Sequence, residues 1–160
     1  SHALGIRELM KMYPDARVIW THRDPFKVAG SLISMIGNVQ AITCSDRDIP
    51  RLVETYPQQL SEHVRRPMAV QDDLGSDPFY HIYYSDLGRD AIGQMRSLYR
   101  WLGDDFDDGT RLAMERWLAE NPQGVFGTHS YTLNEFGLSR DKLRPYFDDY
   151  LARFDIELES

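Results

Sequence analysis

The chain has 160 residues, of which 42% are hydrophobic and 27% are charged, and its formal net charge is −7 at pH 7. These proportions are typical of a globular protein of one domain, and no apolar run approaches the ~18 residues that a membrane span needs. The negative charge argues against general nucleic-acid binding, and the single cysteine, Cys44, excludes an internal disulfide and favours a reducing, cytoplasmic compartment.

Helical and extended patterns alternate in the first part of the chain. Apolar residues at helical spacing predict an amphipathic helix over residues 4–13, and an apolar run predicts a short buried strand over Arg17–Thr21. Asp24 is a good N-cap, and Pro25 suits the first helical position because its missing N–H has no partner there. These two residues predict a second helix that begins at Pro25 and ends near Ile42.

The middle of the chain carries one more helical pattern and a second strand. A helix is predicted over Asp46–Val64, and Pro57 is expected to kink or split it because proline cannot donate the helical hydrogen bond. The polar residues 65–77 predict an irregular segment that ends in a turn. An aromatic-rich run over Phe79–Tyr84 then predicts the second strand.

Helices dominate the rest of the chain. The patterns predict amphipathic helices over Ala91–Leu102 and Thr110–Leu118, a glycine-rich loop over Gly124–Gly137, and a last helix over Leu138–Phe154. Strands that alternate with long helices predict an α/β fold with a parallel sheet. Two strands alone make a poor sheet, which favours a missing N-terminal strand.

The junction between the first strand and the second helix predicts an anion site. Arg23 ends the strand beside a helix N-terminus, and Ser31 follows two turns later. Side chains on a helix lean toward its N-terminus, so Ser31 can point at the region that Arg23 reaches. The guanidinium, the hydroxyl and the free N–H groups of the helix are donors that suit a phosphate. The plainer alternative is an arginine that caps a strand and a serine in a core helix.

These residues also carry a family resemblance. The pattern Arg-Asp-Pro with a serine eight residues after the arginine, within the run YPDARVIWTHRDPFKVAGSL, resembles the 3′-phosphate-binding motif of bacterial-type sulfotransferases. Those enzymes use 3′-phosphoadenosine 5′-phosphosulfate (PAPS) as the sulfuryl donor. The resemblance implies that Arg23 and Ser31 hold the 3′-phosphate. It also implies a P-loop nucleotide-binding-like fold, in which helices flank a parallel sheet.

The resemblance implies further site residues. Tyr84 stands in a Tyr-x-Asp-Leu segment whose tyrosine lies near the cofactor in related enzymes, and the alternative is that Tyr84 and Asp86 end a strand and cap a helix. The later glycine-rich loop is similar to one that folds over the 3′-phosphate. It implies cofactor contacts from Gly124, Gly127 and His129, and the alternative for His129 is a structural loop histidine.

His2 is the candidate general base, because sulfuryl transfer needs a group that takes the acceptor's proton and several relatives use a histidine. It belongs to an opening segment that is similar to the Lys-x-Pro-x-His segment of related enzymes. A remnant of a cleaved tag is the alternative. The histidines show no metal-like spacing, and sulfuryl transfer of this type needs no metal.

The family's glycine-rich loop for the 5′-phosphosulfate has no counterpart in these 160 residues, because the pattern Gly-x-x-x-x-Gly-Lys-Ser/Thr does not occur. We therefore expect residues 1–160 to form a single, incomplete sulfotransferase-like domain, the C-terminal portion of a longer protein. A sheet without its first strand would expose an edge, and two copies of the chain could form a homodimer through it.

The resemblance thus implies an enzyme that moves a sulfuryl group from PAPS to a hydroxyl or amine of a small-molecule acceptor, without a metal. Neither a membrane span nor a nucleic-acid partner is expected. The alternative is a catalytically inactive, truncated domain that binds a nucleotide or a partner chain without turnover.

Overall fold

A computed structural model describes residues 2–43, 48–122 and 131–159 of the chain. The helices and strands, in chain order, are α1 (Ile6–Met12), β1 (Val18–His22), α2 (Pro25–Thr43), α3 (Ile49–Leu74), β2 (Phe79–Tyr83), α4 (Tyr84–Leu102), α5 (Asp108–Glu120) and α6 (Arg140–Phe154). Two short 3-10 turns, His2–Gly5 and Leu133–Phe136, precede α1 and α6.

The predicted α/β class with a parallel sheet is confirmed. In the described part of the chain, β1 and β2 pair in a two-stranded parallel sheet, and helices hold most of the remaining residues. Residues 2–43, 48–122 and 131–159 contain no helix with both the length and the apolar character that crossing a bilayer requires.

The chain divides into two compact units. The first contains the described residues of Ser1–Val18, Arg23–Phe79 and Tyr131–Ser160, and the second contains those of Ile19–His22 and Tyr80–Ser130. The first unit therefore holds α1, α2, α3 and α6, whereas the second holds most of the sheet together with α4 and α5. A single domain over residues 1–160 stays a prediction.

The core of the first unit lies between α2, α3 and α6. Helices α2 and α6 contribute side chains with at most 1% exposure, namely Phe26, Ile33, Leu143 and Phe147, and Leu52 of α3 joins the same cluster. The rings of Phe26 and Phe147 meet edge to face, with centroids 6.4 Å apart and planes at 82°. Because Phe26 lies in the first turn of α2, this packing holds the helix end at which the anion site is predicted.

Helix α3 is longer than predicted. It continues from Ile49 to Leu74 through Pro57 and Pro67, so Pro57 does not split it and the predicted end at Val64 is wrong. The irregular segment predicted over residues 65–77 is confined to the turn after Leu74. A proline inside a helix costs about 3 kcal/mol, because it removes one hydrogen bond and crowds the preceding turn. Both prolines are buried with several other side chains of α3. Burying each large aliphatic side chain stabilises by about 1.5–3 kcal/mol, so the packed face of the helix outweighs that cost.

The remaining boundaries lie close to the predictions, apart from the start of α4. Strand β1 is displaced by one residue, and β2 ends at Tyr83 because Tyr84 begins α4. Helix α4 therefore starts earlier than the predicted Ala91. Asp90 interrupts it with a non-helical φ of −151°, and its carboxylate accepts a hydrogen bond of 2.8 Å from the Gly93 N–H. Asp90 thus caps the second part of α4, which is the part that the sequence pattern predicts.

The sheet brings together two histidines that stand 59 residues apart in the chain. His22 of β1 is buried, and its Nε2 lies 2.8 Å from Nδ1 of His81 on β2. The two rings stack with centroids 5.0 Å apart, and the Trp20 ring lies 4.9 Å from that of His22. One ring nitrogen must donate and the other accept, so the two rings cannot both be protonated on both nitrogens. Burial, and then the charge of His81, lower the pKa of His22 from 6.5 to about 3.

We expect the free energy of unfolding to decrease as the pH falls from 6.5 toward about 3, because unfolded His22 then binds a proton that the folded protein excludes. His22 contributes at most about 1.4 kcal/mol per pH unit to the slope of the unfolding free energy against pH. This contribution vanishes above the pKa that His22 has in the unfolded chain. Urea unfolding between about pH 7.5 and 5.5 measures it. The slope should be lost in His22→Phe and kept in His63→Gln on α3. An unchanged slope in His22→Phe would contradict the prediction.

Candidate functional site

The predicted helix cap at the start of α2 is present. Oδ1 of Asp24 accepts a hydrogen bond of 2.8 Å from the Phe26 N–H and a longer one of 3.4 Å from the Lys27 N–H. The Asp24 carbonyl accepts the first helical bond, from the Val28 N–H at 3.1 Å. Helix α2 therefore starts at the predicted residue, because a short acceptor side chain satisfies N–H groups that have no partner within the helix.

The Asp24 carboxylate is completely buried, and both of its oxygens are bonded. The second oxygen, Oδ2, accepts a hydrogen bond of 2.9 Å from the Glu159 N–H, and Nη2 of Arg140 lies 3.9 Å from it. A buried charge is costly unless it is hydrogen-bonded and paired with an opposite charge. Here the N–H groups at the helix N-terminus donate hydrogen bonds, and Arg140 supplies the opposite charge. Asp24 thereby joins α2, the start of α6 and the segment after α6.

Arg23 directly follows β1, and its guanidinium is engaged by a carboxylate. Nε donates to Oε1 of Glu159 at 2.7 Å, and Nη2 donates to Oε2 at 2.9 Å. This pair of parallel bonds is the forked geometry that arginine also offers to phosphate. Hydrogen bonding from Arg23, together with the charges of Arg23 and Lys27, holds the pKa of Glu159 below its usual range. The start of α2 therefore already binds an oxyanion.

Lys27 is a further cation at the start of α2 that the motif did not single out. It stands four residues before Ser31 on α2, so the two share one face of the helix. With Ser139 and Arg140 at the start of α6, Lys27 lines a cavity of about 390 Å³. The sequence could have indicated Lys27, because it is a cation that stands one helical turn before Ser31. Lys27 and Arg140 are the cations among the residues that line this cavity.

Tyr131 lies against α2 beside Lys27. Its hydroxyl donates to the Lys27 carbonyl at 2.7 Å. Its ring covers Gly30, where an added Cβ would lie only 2.6 Å from a ring carbon. Glycine is therefore required at this position, because a larger residue would push the ring off the helix. The close approach gives the cavity one aromatic wall.

The predicted site residues lie on different elements of the chain. Ser31 is half-buried on α2, and His2 is exposed in the first 3-10 turn. Tyr84 is exposed at the first position of α4, in the second unit. The other predicted contacts, Gly124, Gly127 and His129, lie outside the described residues.

The histidine pair of the sheet, His22 and His81, offers two nitrogen atoms to a metal ion. Within the described ranges, however, no group of three or more histidine, cysteine, aspartate or glutamate side chains stands close enough to hold one. A structural zinc site takes about four protein ligands, so the pair is better explained as a hydrogen bond inside the sheet.

Known proteins are similar to this chain in sequence. The model of the sulfotransferase family matches residues 1–108. Two curated relatives are the omega-hydroxy-beta-dihydromenaquinone-9 sulfotransferases Stf3 of Mycobacterium bovis (strain ATCC BAA-935 / AF2122/97) and Mycobacterium tuberculosis (strain CDC 1551 / Oshkosh). Each is 28% identical over 139 residues, which cover 83% of this chain and 34% of the relative.

Crystal structures of mycobacterial sulfotransferases share the fold. That of STF9 from Mycobacterium avium superimposes with a TM-score of 0.88 at 37% identity, over 100% of this chain and 41% of the other. That of STF1 from Mycobacterium tuberculosis H37Rv gives a TM-score of 0.74 at 28% identity, over 93% and 38%. The chain thus spans about a third of the length of the curated relatives and about two fifths of the solved structures.

We expect Asp24→Ala to lower the free energy of unfolding by about 2–4 kcal/mol, because it removes the cap of α2 and the buried acceptor of Glu159 and Arg140. Asp24→Asn should cost less, about 1–2 kcal/mol, because asparagine caps helices nearly as well as aspartate. Urea unfolding of both variants at neutral pH measures the two costs. Equal costs for the two variants would contradict the capping role.

Proposed function

Because this chain belongs to the sulfotransferase family, we propose that it binds the 3′-phosphate of PAPS at the start of α2. The observation that carries the proposal is the forked pair between Arg23 and the Glu159 carboxylate, at 2.7 and 2.9 Å, beside a capped helix N-terminus. A guanidinium that holds a carboxylate in this way also fits a phosphate, because it offers both anions the same pair of donors.

The groups that we assign to the 3′-phosphate supply different kinds of donor. Arg23 supplies a permanent cation, Ser31 a hydroxyl, and the N-terminus of α2 a partial positive charge. We add Lys27 to this set, because it shares a helix face with Ser31. The whole chain carries a net charge of −7, so only a local group of cations can attract a multiply charged anion to it.

Two further groups of residues are assigned to the cofactor, and both assignments rest only on the family resemblance of their segments. Tyr84 is assigned to the adenosine end of PAPS, because an aromatic ring can stack on a nucleobase. Gly124, Gly127 and His129 are assigned to the 3′-phosphate, because glycines leave backbone N–H groups accessible to an anion. The proposal assigns no role to a metal.

For the whole protein we propose sulfuryl transfer to a hydroxyl group of a small-molecule acceptor. PAPS supplies the sulfuryl group when it is bound. His2 is assigned as the base that takes the proton of the acceptor's hydroxyl, which makes the oxygen a better nucleophile. The curated relatives are named for an acceptor with an omega-hydroxyl group, which favours a hydroxyl over an amine here.

A second candidate is a domain that binds the nucleotide without turnover. This candidate is favoured by the sequence of residues 1–160, which contains no Gly-x-x-x-x-Gly-Lys-Ser/Thr motif. That kind of loop cradles phosphates with its backbone N–H groups, and without it the 5′-phosphosulfate has no assigned donors in these residues. A homodimer and a cytoplasmic location stay predictions from the sequence.

We expect Arg23→Ala to weaken the binding of adenosine 3′,5′-bisphosphate by about 2–5 kcal/mol, because a forked, charge-assisted pair is lost. Arg23→Lys should restore only part of this affinity, since an ammonium cannot form the fork. Ser31→Ala should cost about 1–2 kcal/mol of binding and leave the melting temperature unchanged. Calorimetric titration measures the affinities.

The matched control for these variants is Arg51→Ala, which removes an exposed cation from α3. It should bind the bisphosphate like the wild type, because only a local cation contributes a forked pair. Equal affinity of the wild type and Arg23→Ala would contradict the proposed phosphate site. A lower melting temperature of Ser31→Ala with unchanged affinity would make Ser31 a packing residue.

We expect residues 1–160 alone to transfer no sulfate from PAPS, even where they bind the bisphosphate. Each preorganised donor to the charge that develops on a leaving group contributes about a hundredfold or more to the rate, so the lack of a whole loop reduces turnover to background. A radiolabelled-sulfate assay against alcohols and phenols, with a blank that lacks protein, measures it. Turnover clearly above the blank would show that another segment replaces the loop.

A further inference from the structure

We propose that the side chain of Glu159, in the segment after α6 (residues 155–159), is a gate on the anion site, and that its carboxylate must leave Arg23 before a phosphate monoester binds there. The inference rests on the proposed function, because it concerns access to the same guanidinium. It makes Glu159 an internal competitor of the ligand rather than a part of the binding site.

The path of this segment is set where α6 ends. Asp155 follows Phe154 with a φ of 46° and a ψ of 52°, a left-handed conformation that ends the helix. Among the described residues, Asp155 is the non-glycine residue with a positive φ. Aspartate tolerates this conformation because its short polar side chain can form local hydrogen bonds. Four residues further on, Glu159 contacts the start of α2.

Glu159 is held at the start of α2 by its main chain as well as by its side chain. Its N–H donates to Oδ2 of Asp24 at 2.9 Å, and its carbonyl accepts a hydrogen bond from Nη2 of Arg140. These contacts do not involve the carboxylate, so they position the residue whatever its side chain does. The carboxylate can therefore leave Arg23 while the segment stays in place.

A phosphate and the Glu159 carboxylate compete for the same donors. Nε and Nη2 of Arg23 each bond to one carboxylate oxygen, so the fork is occupied. A phosphate monoester carries between about one and a half and two negative charges at neutral pH, so it would repel a carboxylate beside it. Lys27 attracts either anion, and it attracts the phosphate more strongly because the phosphate carries the larger charge. A bound phosphate therefore replaces the carboxylate rather than joining it.

The contact between Arg23 and Glu159 is weak enough to open. Their side chains are 40% and 31% exposed, and ion pairs at such sites are screened by water and salt. Displacing Glu159 should therefore reduce the affinity for the phosphate only about threefold to tenfold. The gate therefore lowers the affinity of every anion that competes for Arg23 by the same factor.

The opposite arrangement makes a different prediction. If Glu159 were a positioning residue, its carboxylate would orient the guanidinium while the phosphate bound the remaining N–H groups of Arg23. Removing the negative charge of Glu159 would then weaken the binding of the phosphate instead of strengthening it. The sign of the change in affinity therefore separates a gate from a positioning role.

Calorimetric titration of the full chain with adenosine 3′,5′-bisphosphate measures that sign. Glu159→Gln keeps the size of the side chain and its main-chain contacts but loses the charge, and it should bind about threefold to tenfold more tightly than the wild type. Glu54→Gln makes the same charge change at an exposed position of α3 and should bind like the wild type. Unchanged or weaker binding by Glu159→Gln overturns the gate.

The titration of the Glu159 carboxyl group gives a second readout in the unaltered protein. Arg23 and Lys27 hold its pKa below the usual range, while Asp24 and Arg140 contact its main chain. If the bisphosphate binds Arg23 and displaces the Glu159 carboxylate, the pKa of Glu159 should rise toward its ordinary value in the complex. Carbon-detected NMR of labelled glutamate measures it. An unchanged or lower pKa in the complex overturns the gate.

Failure of the gate and failure of the proposed function give different results. Where the wild type binds the bisphosphate and Arg23→Ala does not, the phosphate site stands, and Glu159→Gln and the pKa of Glu159 decide the gate. Adenosine 5′-phosphate, which lacks the 3′-phosphate, is the control ligand. Where neither the wild type nor Glu159→Gln prefers the bisphosphate to this control, both proposals fail, because no phosphate competes for Arg23.

Discussion

Asp24 carries a carboxylate with no exposed surface, and that carboxylate holds the first turn of α2, Arg140 and the segment after α6. A buried charge persists only where donors surround it, so none of these partners can be lost without a cost to the others. The same residue sets where α2 begins, and hence where Arg23 stands relative to the helix N-terminus. Asp24 also brings Glu159 within reach of Arg23. The same carboxylate therefore caps α2 and positions the residue that occupies the anion site.

The core behind α2 keeps this end of the helix in place. Phe26 packs edge to face on Phe147 in the first turn, and Gly30 lets the Tyr131 ring lie directly on the helix. The guanidinium of Arg23 differs from these groups, because its side chain is 40% exposed. A rigid frame that presents one accessible cation is suited to exchange one oxyanion for another, since the frame need not move when the anion changes.

The start of α2 could be predicted to the residue because a helix cap acts between near neighbours. Asp24 accepts a hydrogen bond from the Phe26 N–H two positions away, and such contacts depend only on neighbouring residues in the sequence. The length of α3 could not be predicted in the same way. The penalty of Pro57 is local, whereas the burial that outweighs it comes from packing against other helices, among them α6, which is distant in the chain.

The sequence by itself determined the α/β class, the cap of α2 and the cation at the end of β1, because each depends on residues a few positions apart. Only the tertiary structure decided which groups meet across the chain. Glu159 stands 136 positions from Arg23, and His81 stands 59 from His22. No spacing rule connects such positions, because their contact arises only when packed helices and paired strands return the chain to the same place. The anion that Arg23 holds is therefore a property of the fold rather than of the motif.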